Sequence, residues 1–325
     1  MQSDVRQRKR VTDQPRKLER FFRQREEAVL QMRALVEQWA LPALRWRGSF
    51  TLAPVERGHN LTYYLAVDGH PELILRAGER RLKFWRRVRL HGYLRGRGVS
   101  VPKVLAHSAG LFGGRHDGLF LSVEERAPGD EILRAGDPIG TAARAGEVFA
   151  RLHTLRSMPR PLFQDSVWTR VSLGRWLRER TRVRLHKYAR YDPETADRAL
   201  RWLAAWPAPA WRHAPRLCLD DVGKGNLIGG SDGVAIVDVV GTRMGSVPVE
   251  LGRVRHMLLD NRRDPWKAFL GAYLGSASPA LAEQVERLGR FGEALYLLKH
   301  NIRRGRFRRN RGGHARLLRL LETDP

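Results

Sequence analysis

The chain has 325 residues, enough for one two-lobed domain or two smaller domains with an ample core. Its 60 lysines and arginines stand against 34 acidic residues, a formal charge of +26 that bears on partners and surface potential rather than on fold. A hydrophobic share of 42% with nine tryptophans excludes global disorder, and the single cysteine, Cys218, excludes an intramolecular disulfide and a cysteine-rich zinc site. No run approaches the roughly 18 apolar residues of a membrane span. The basic N-terminus, MQSDVRQRKRVTDQPRK, lacks the apolar stretch of a secretory signal. The expected location is cytoplasmic, with the inner face of a membrane as a peripheral site. The charge points to three partner classes: phosphorylated ligands, an anionic membrane and nucleic acid.

Residues 12–40 read as an amphipathic helix. Thr12 or Asp13 can cap it, Pro15 suits its first turn, and Leu18, Phe21, Phe22, Val29, Met32, Leu35, Val36 and Trp39 recur at helical spacing. Its apolar stripe has two readings, packed on the main domain or lying on a membrane surface beneath an arginine-rich face. From Trp46 to Ala77 the period becomes that of strands. SFTLAPV and LTYYLAV flank the turn ERGHN, and DGHPELILRAG adds a turn and another strand. A helix is expected from Arg80 to Arg97, after which VSVPKVLAHS leads into a second hairpin that ends in LFLSVEE. These elements make a small sheet with one helix against it.

Beyond Glu125 the pattern is mostly helical. TAARAGEVFARLHTL carries Ala143, Val148, Phe149, Leu152 and Leu155 on one side, with His153 read as a packed helix residue. SLGRWLRERTRVRLHKYARY and RALRWLAAW continue the style, and DPWKAFLGAYLG and SPALAEQVERLGRFGEALYLLKHN resume it after Gly245. The end, KHNIRRGRFRRNRGGHARLLR, is a dense basic block in which arginine interleaved with Phe307 and glycine suits phosphate and base stacking. Arginine is abundant along the whole chain, which makes nucleic acid the weaker partner reading. The organisation is an N-terminal basic helical extension (1–45), a small lobe (46–124) and a helical lobe with the basic tail (125–325).

Chemistry concentrates in RLCLDDVGKGNLIGGSDGVAIVDVVG, Arg216 to Gly241. It is not a phosphate-binding P-loop, which needs G-x-x-x-x-G-K-[ST], and no G-x-G-x-x-G follows a strand to receive a dinucleotide. His213 and Cys218 lie near, without the further ligands a zinc site needs. Carboxylates and an asparagine amide are hard oxygen ligands suited to magnesium. The strands NLIG and GVAIVD, joined by the turn GGSDG, make a tight hairpin with Asn226 at its start and Asp238 at its end. Both side chains then stand at one sheet edge, with Asp221 in the loop just before. Asn226 and Asp238 can hold a nucleotide's magnesium while Asp221 accepts a hydroxyl proton, the parts that phosphoryl transfer needs.

D-x-x-x-x-N, then a hairpin, then an apolar-Asp pair resembles the catalytic loop and metal-binding aspartate of the aminoglycoside phosphotransferase-like kinases. That group shares the protein-kinase-like fold and includes choline, fructosamine and lipopolysaccharide core sugar kinases. The resemblance covers about residues 46–300. LAPVERGHNLTYYLAVDG looks like the nucleotide-covering hairpin, LILRAG the third strand, VPKVLAH the entry to the hinge, LFLSVEERAPG the hinge, and GEVFARLHTL the helix with its Leu-His pair. It implies an α+β, two-lobed fold with a small β-sheet lobe carrying one helix, a larger helical lobe and an N-terminal helical extension. It also implies an ATP- and Mg2+-dependent kinase in which Asp221 is the catalytic base and Asn226 and Asp238 hold the metal. By the same resemblance Arg76 meets the phosphates, Gly58 and Asn60 sit in the covering turn over the nucleotide, and Glu124 meets it at the hinge.

Three departures stand out. Leu219-Asp220-Asp221 replaces the usual His-Gly-Asp. Arg80 to Arg97 contains no carboxylate, although the family's first-lobe helix offers a glutamate to the third strand's basic residue; Glu79 is the nearest substitute. The aspartate that follows the metal ligand's loop appears as Glu250. These changes define an alternative, a catalytically degenerate pseudokinase that binds an anionic phospholipid surface or nucleic acid. For an active kinase the charge selects the acceptor. A protein at +26 repels polycationic aminoglycosides, which favours a phosphorylated sugar or a lipopolysaccharide core at a negatively charged leaflet.

Overall fold

The computed structural model of the chain describes residues 28–55, 61–109, 114–116, 118–159, 173–205, 215–219, 221–275 and 311–322, with a helical stretch at 283, 285–286, 289–290, 292–294 and 296–297. Thr12, Asp13, Gly58, Asn60, Asp220 and most of the basic tail lie outside these residues. The chain divides into two compact units, Met1–Val88 with Lys103–Arg126, and Arg89–Pro102 with Ala127–Pro325.

In the first unit a helical run, α1 (28–44), widens into a π-helical turn at Val36–Ala40 and returns to α-helix at Leu41–Leu44. Arg45 ends it in the left-handed region, φ 59°, with its N–H turned back onto the carbonyls of Leu41 and Pro42. Five strands form one antiparallel sheet: β1 (Phe50–Pro54), β2 (Leu61–Val67), β3 (Leu73–Gly78), β4 (Val104–His107) and β5 (Phe120–Glu125), in the order β1–β2–β3–β5–β4. Successive residues of β2 and β3 alternate between buried and half-buried, which is the period of a strand with one covered face. That face carries Tyr63, Leu65, Leu73 and Leu75, and they share a buried cluster with Met32, Leu35, Val36 and Leu41 of α1. Over its described length, then, the apolar stripe of α1 is covered by the sheet.

The other sheet face carries charge. Arg76 of β3 pairs in register with Ser122 of β5, and Ile74 with Glu124. Residues opposite one another, or two apart along a strand, share a face, so Arg76, Ser122 and Glu124 lie together. Helix α2 (Arg81–Arg95) starts beside this face, with Phe84 buried against Ala109 and Phe120, and the division between the units falls within it, after Val88.

The second unit opens with β6 (Asp130–Glu131) and α3 (Pro138–His153). Asp137 caps α3, its side chain accepting from the Gly140 N–H, and Pro138 occupies the first turn, where the missing N–H costs nothing. After α4 (Leu173–Ala189) and α5 (Pro193–Ala204) come four short strands: β7 (Arg216–Leu219), β8 (Leu227–Gly230), β9 (Gly233–Ile236) and β10 (Thr242–Gly245). They form two small antiparallel sheets, β6–β8–β9 and β7–β10. Helix α6 (Val247–Arg253) continues as a π-helical turn, Val254–Leu258, and α7 (Arg263–Leu274) and α8 (Arg311–Leu321) follow. Among the described residues no helix is long and apolar enough to cross a membrane.

Aromatic rings join α3 to α7. Trp266, Phe269 and Tyr273 stack in turn along α7, and Phe149 of α3 meets Phe269 edge-on at 5.6 Å. Two glycines permit close approaches elsewhere in this unit. Gly129, at φ 99°, lies against the backbone of Gly229 in β8, where an added Cβ has no room. Gly252 lets α6 touch the backbone of Gly289 and Glu293 directly.

This packing makes opposite demands on two helical glycines. Gly252→Ala drives a methyl into backbone and is expected to destabilise the protein by about 1–3 kcal/mol. Gly271→Ala in α7, where nothing lies within 4 Å of the new methyl, is expected to stabilise by about 0.4–1 kcal/mol. Urea unfolding of the two variants beside wild type measures both signs.

Candidate active site

The hairpin of β8 and β9 builds one edge of the site. Leu227 pairs with Ile236 in the ladder, and just outside it the Val237 N–H donates to the Asn226 carbonyl at 2.9 Å. That bond closes the open end of the hairpin, with Asn226 on one arm and Asp238 one residue beyond Val237 on the other. The strand ends at Ile236, so Asp238 stands in the segment beyond it rather than at its last position, half-buried, with Oδ1 accepting from the Val240 N–H at 3.1 Å. The Asn226 amide nitrogen donates to the Asp221 carbonyl at 2.9 Å, which folds the loop back on itself. A Cβ added to Gly223 would lie 3.5 Å from that nitrogen and 3.8 Å from Asp221 Oδ1, so both side chains turn toward one small patch. Asp221 is exposed there. The loop is also tied outward by an exposed Lys224–Asp260 ion pair, a pairing that adds little to stability.

What holds the loop from behind is Glu250, in the first turn of α6 and 1% exposed. One of its oxygens accepts from the backbone N–H of Leu219, the last residue of β7, and the other accepts from His153 Nε2 at 2.6 Å. The Cys218 thiol donates to the same carboxylate. Because a carboxylate only accepts, His153 presents Nε2–H to it and leaves Nδ1 to the Tyr273 hydroxyl, 2.9 Å away. Leu217 N–H donates to the Leu155 carbonyl at 3.0 Å, so β7 is fastened to the end of α3 as well. The position taken by leucine at 219 is therefore held through its backbone, which no side-chain replacement removes. His153, Cys218 and Glu250 bring ligand atoms within 4.8 Å of one another, close enough for a metal, and these hydrogen bonds already account for that grouping.

Burial, and after it the Glu250 carboxylate, push the Cys218 thiol well above its usual range. Burial likewise raises the Tyr273 phenol, which keeps its proton for His153.

In the first unit, Arg76 and Glu124 meet as the sheet register requires. The Arg76 Nε donates to Glu124 Oε2 at 3.3 Å, and the Arg87 Nη2 of α2 donates to the same oxygen at 2.7 Å. Ser122 Oγ donates to Oε1 at 2.9 Å. Glu124 was read from the sequence as a hinge contact for nucleotide; its side chain is 1% exposed and turned onto these donors. Arg87 and Ser122 had no role in that reading. The signal for Arg87 was its place in a helix without a carboxylate, which calls for an anion from another element.

Removing the carboxylate tests the anchor behind the loop. Glu250→Ala orphans the buried Leu219 N–H, His153 and Cys218 donors, at about 1–3 kcal/mol for each left unpaired. A lowered unfolding midpoint is expected, together with faster labelling of Cys218 by a thiol reagent, since the carboxylate no longer opposes the thiolate. In the wild-type fold labelling at mildly alkaline pH is expected to be slow and to become fast on denaturation, because the thiol is buried and its pKa raised. Equal labelling rates in wild type and variant would remove Glu250 from the environment of Cys218.

No curated protein matches this chain in sequence. Solved structures match it in fold. The GDP complex of aminoglycoside 2'-phosphotransferase-IIIa shares 15% identity over 89% of this chain and 95% of that one, with a TM-score of 0.59. A candidate fructosamine-3-kinase from Haemophilus somnus shares 12% over 88% and 95%, with a TM-score of 0.57. A thermostable mutant of aminoglycoside phosphotransferase APH(4)-Ia, in a ternary complex with ADP and hygromycin B, shares 13% over 88% and 98%, at 0.56. Such identities establish the fold alone, and it is the α+β, protein-kinase-like one expected. The model of the phosphotransferase enzyme family matches residues 51–310, most of the chain, and the protein belongs to that family.

Proposed function

We propose that this phosphotransferase transfers the terminal phosphoryl group of ATP, with magnesium, to a sugar hydroxyl of an anionic acceptor. The observation that supports the reading is the closed end of the β8–β9 hairpin: Val237 N–H on the Asn226 carbonyl brings the residue before Asp238 opposite Asn226, and the Asn226 amide donates to the Asp221 carbonyl. An amide oxygen and a carboxylate are the hard donors magnesium takes, and with the Asn226 nitrogen engaged by Asp221 its oxygen is the end left to serve as ligand. Bound magnesium supplies charge neutralisation across the phosphates. Asp221, exposed and one loop away from the two ligands, receives the acceptor hydroxyl and takes or orients its proton. Arg76, and the covering turn at Gly58 and Asn60, are the residues that the resemblance assigns to the nucleotide's phosphates.

Charge favours an anionic acceptor. The APH(4)-Ia structure holds hygromycin B, whereas a chain at +26 repels polycations over a Debye length. A phosphorylated sugar or a lipopolysaccharide core at an anionic leaflet fits better, and about 1 kcal/mol per basic residue near such a surface is enough to keep the protein there. Retention of the Leu219 N–H by Glu250 supports an active enzyme over a degenerate scaffold, because the loop's anchor does not depend on the absent histidine.

Thermal unfolding with millimolar ATP tests the nucleotide part. A magnesium-dependent rise in midpoint is expected for wild type and a loss of the magnesium dependence for Asp238→Ala. Phosphoryl transfer to lipid-linked or soluble anionic sugars is expected to fall by at least about a hundredfold in Asp221→Asn. Failure of wild type to respond to ATP would end the kinase reading, and ATP binding with transfer unaffected by Asp221→Asn would remove Asp221 from catalysis.

A further inference from the structure

We infer that Glu124 is a positioning residue for Arg76, supplying from inside the sheet the carboxylate that helix α2 lacks. The role rests on the nucleotide reading above. Three observations lead to it. Arg76 lies on the sheet face opposite the α1 core, with 14% of its side chain exposed. Its Nε is engaged by a carboxylate that is 1% exposed, and engaging Nε fixes the plane of the whole fork. The carboxylate itself cannot swing, because Ser122 holds one oxygen at 2.9 Å and Arg87 holds the other at 2.7 Å.

The ion pair between strand and helix is thus present with its signs exchanged. Helix α2 contributes a cation, Arg87, and the anion comes from β5. A single glutamate then couples two elements to one arginine: α2 sets the place of Glu124 through Arg87, and Glu124 sets the place of Arg76. Displacement of α2 is felt at Arg76 through that one carboxylate. An arginine held in this way presents a preset fork, and a preset donor loses less freedom when it meets a phosphate than a mobile one does.

A double-mutant cycle on the full chain, read by calorimetric titration with ATP and magnesium, tests this. The variants are Glu124→Gln, Glu124→Asp, Arg76→Met and the Glu124→Gln/Arg76→Met pair, each with its unfolding midpoint measured. Glu124→Asp keeps the charge and withdraws it by one methylene, so it answers the question even where the glutamine variant folds poorly. Both Glu124 variants are expected to weaken ATP by about tenfold or more, and the double variant to bind no more weakly than Arg76→Met alone. A residue that only supported the fold would give losses that add in the double variant and follow the midpoints. Additive losses, or ATP affinity unchanged in both Glu124 variants, would overturn the role while leaving the nucleotide reading intact. Absence of ATP binding by wild type would instead defeat that reading and this role with it.

Discussion

The backbone N–H of Leu219 accepted by Glu250 is the contact on which the loop that carries Asp221 depends. Asp221 belongs to an exposed loop, and loops of that kind are placed only by what stands behind them. Here a buried carboxylate takes the end of β7, the His153 ring and the Cys218 thiol at once, so helix α3, strand β7 and helix α6 meet at one group. Tyr273 extends the chain of hydrogen bonds into α7, and the stacked rings of Trp266, Phe269 and Phe149 fill the space around it. Gly252, two residues along α6, brings that helix close enough to the stretch at 289–293 to hold it in place.

A parallel device orders the sheet unit. Glu124 is as deeply buried as Glu250 and is likewise surrounded by donors, two guanidiniums and a hydroxyl. Burying a carboxylate is costly unless every lone pair finds a partner, and removing one partner of such a group costs more than the pair contributes. In a chain with 34 acidic residues among 60 basic ones, these two glutamates are placed where one negative charge organises several elements. Most of the arginine excess remains for the surface and for anionic partners.

Much of this was legible in the sequence. Alternation marked β1, β2, β3 and β5, and apolar spacing marked α3 and α7, because each signal lies within a few consecutive residues. The hairpin between Asn226 and Asp238 was legible for the same reason, since a two-residue turn between short strands fixes which residues face each other. Strands β7 and β10 escaped notice: four residues each are too few to show a period, and RLCL reads simply as an apolar run. The partners of the two buried glutamates escaped for a different reason. Glu124 meets Arg76 and Arg87 across 48 and 37 residues, and Glu250 meets Leu219 across 31, so only the register of the sheets and the packing of helices create the pairs. The carboxylate that α2 lacks along its own length is supplied by the fold from β5.

The most direct measurement compares ATP turnover with water as acceptor, which requires no knowledge of the natural acceptor, in wild type, Leu219→Met and Glu250→Ala at a temperature below all three unfolding midpoints. Methionine keeps the volume and the backbone N–H at 219, so turnover within about a factor of two or three of wild type is expected. Alanine at 250 releases that N–H, and a fall of about a hundredfold is expected as Asp221 loses its fixed position. Turnover lost in Leu219→Met and retained in Glu250→Ala would contradict the backbone anchor and return the decisive role to the side chain at 219.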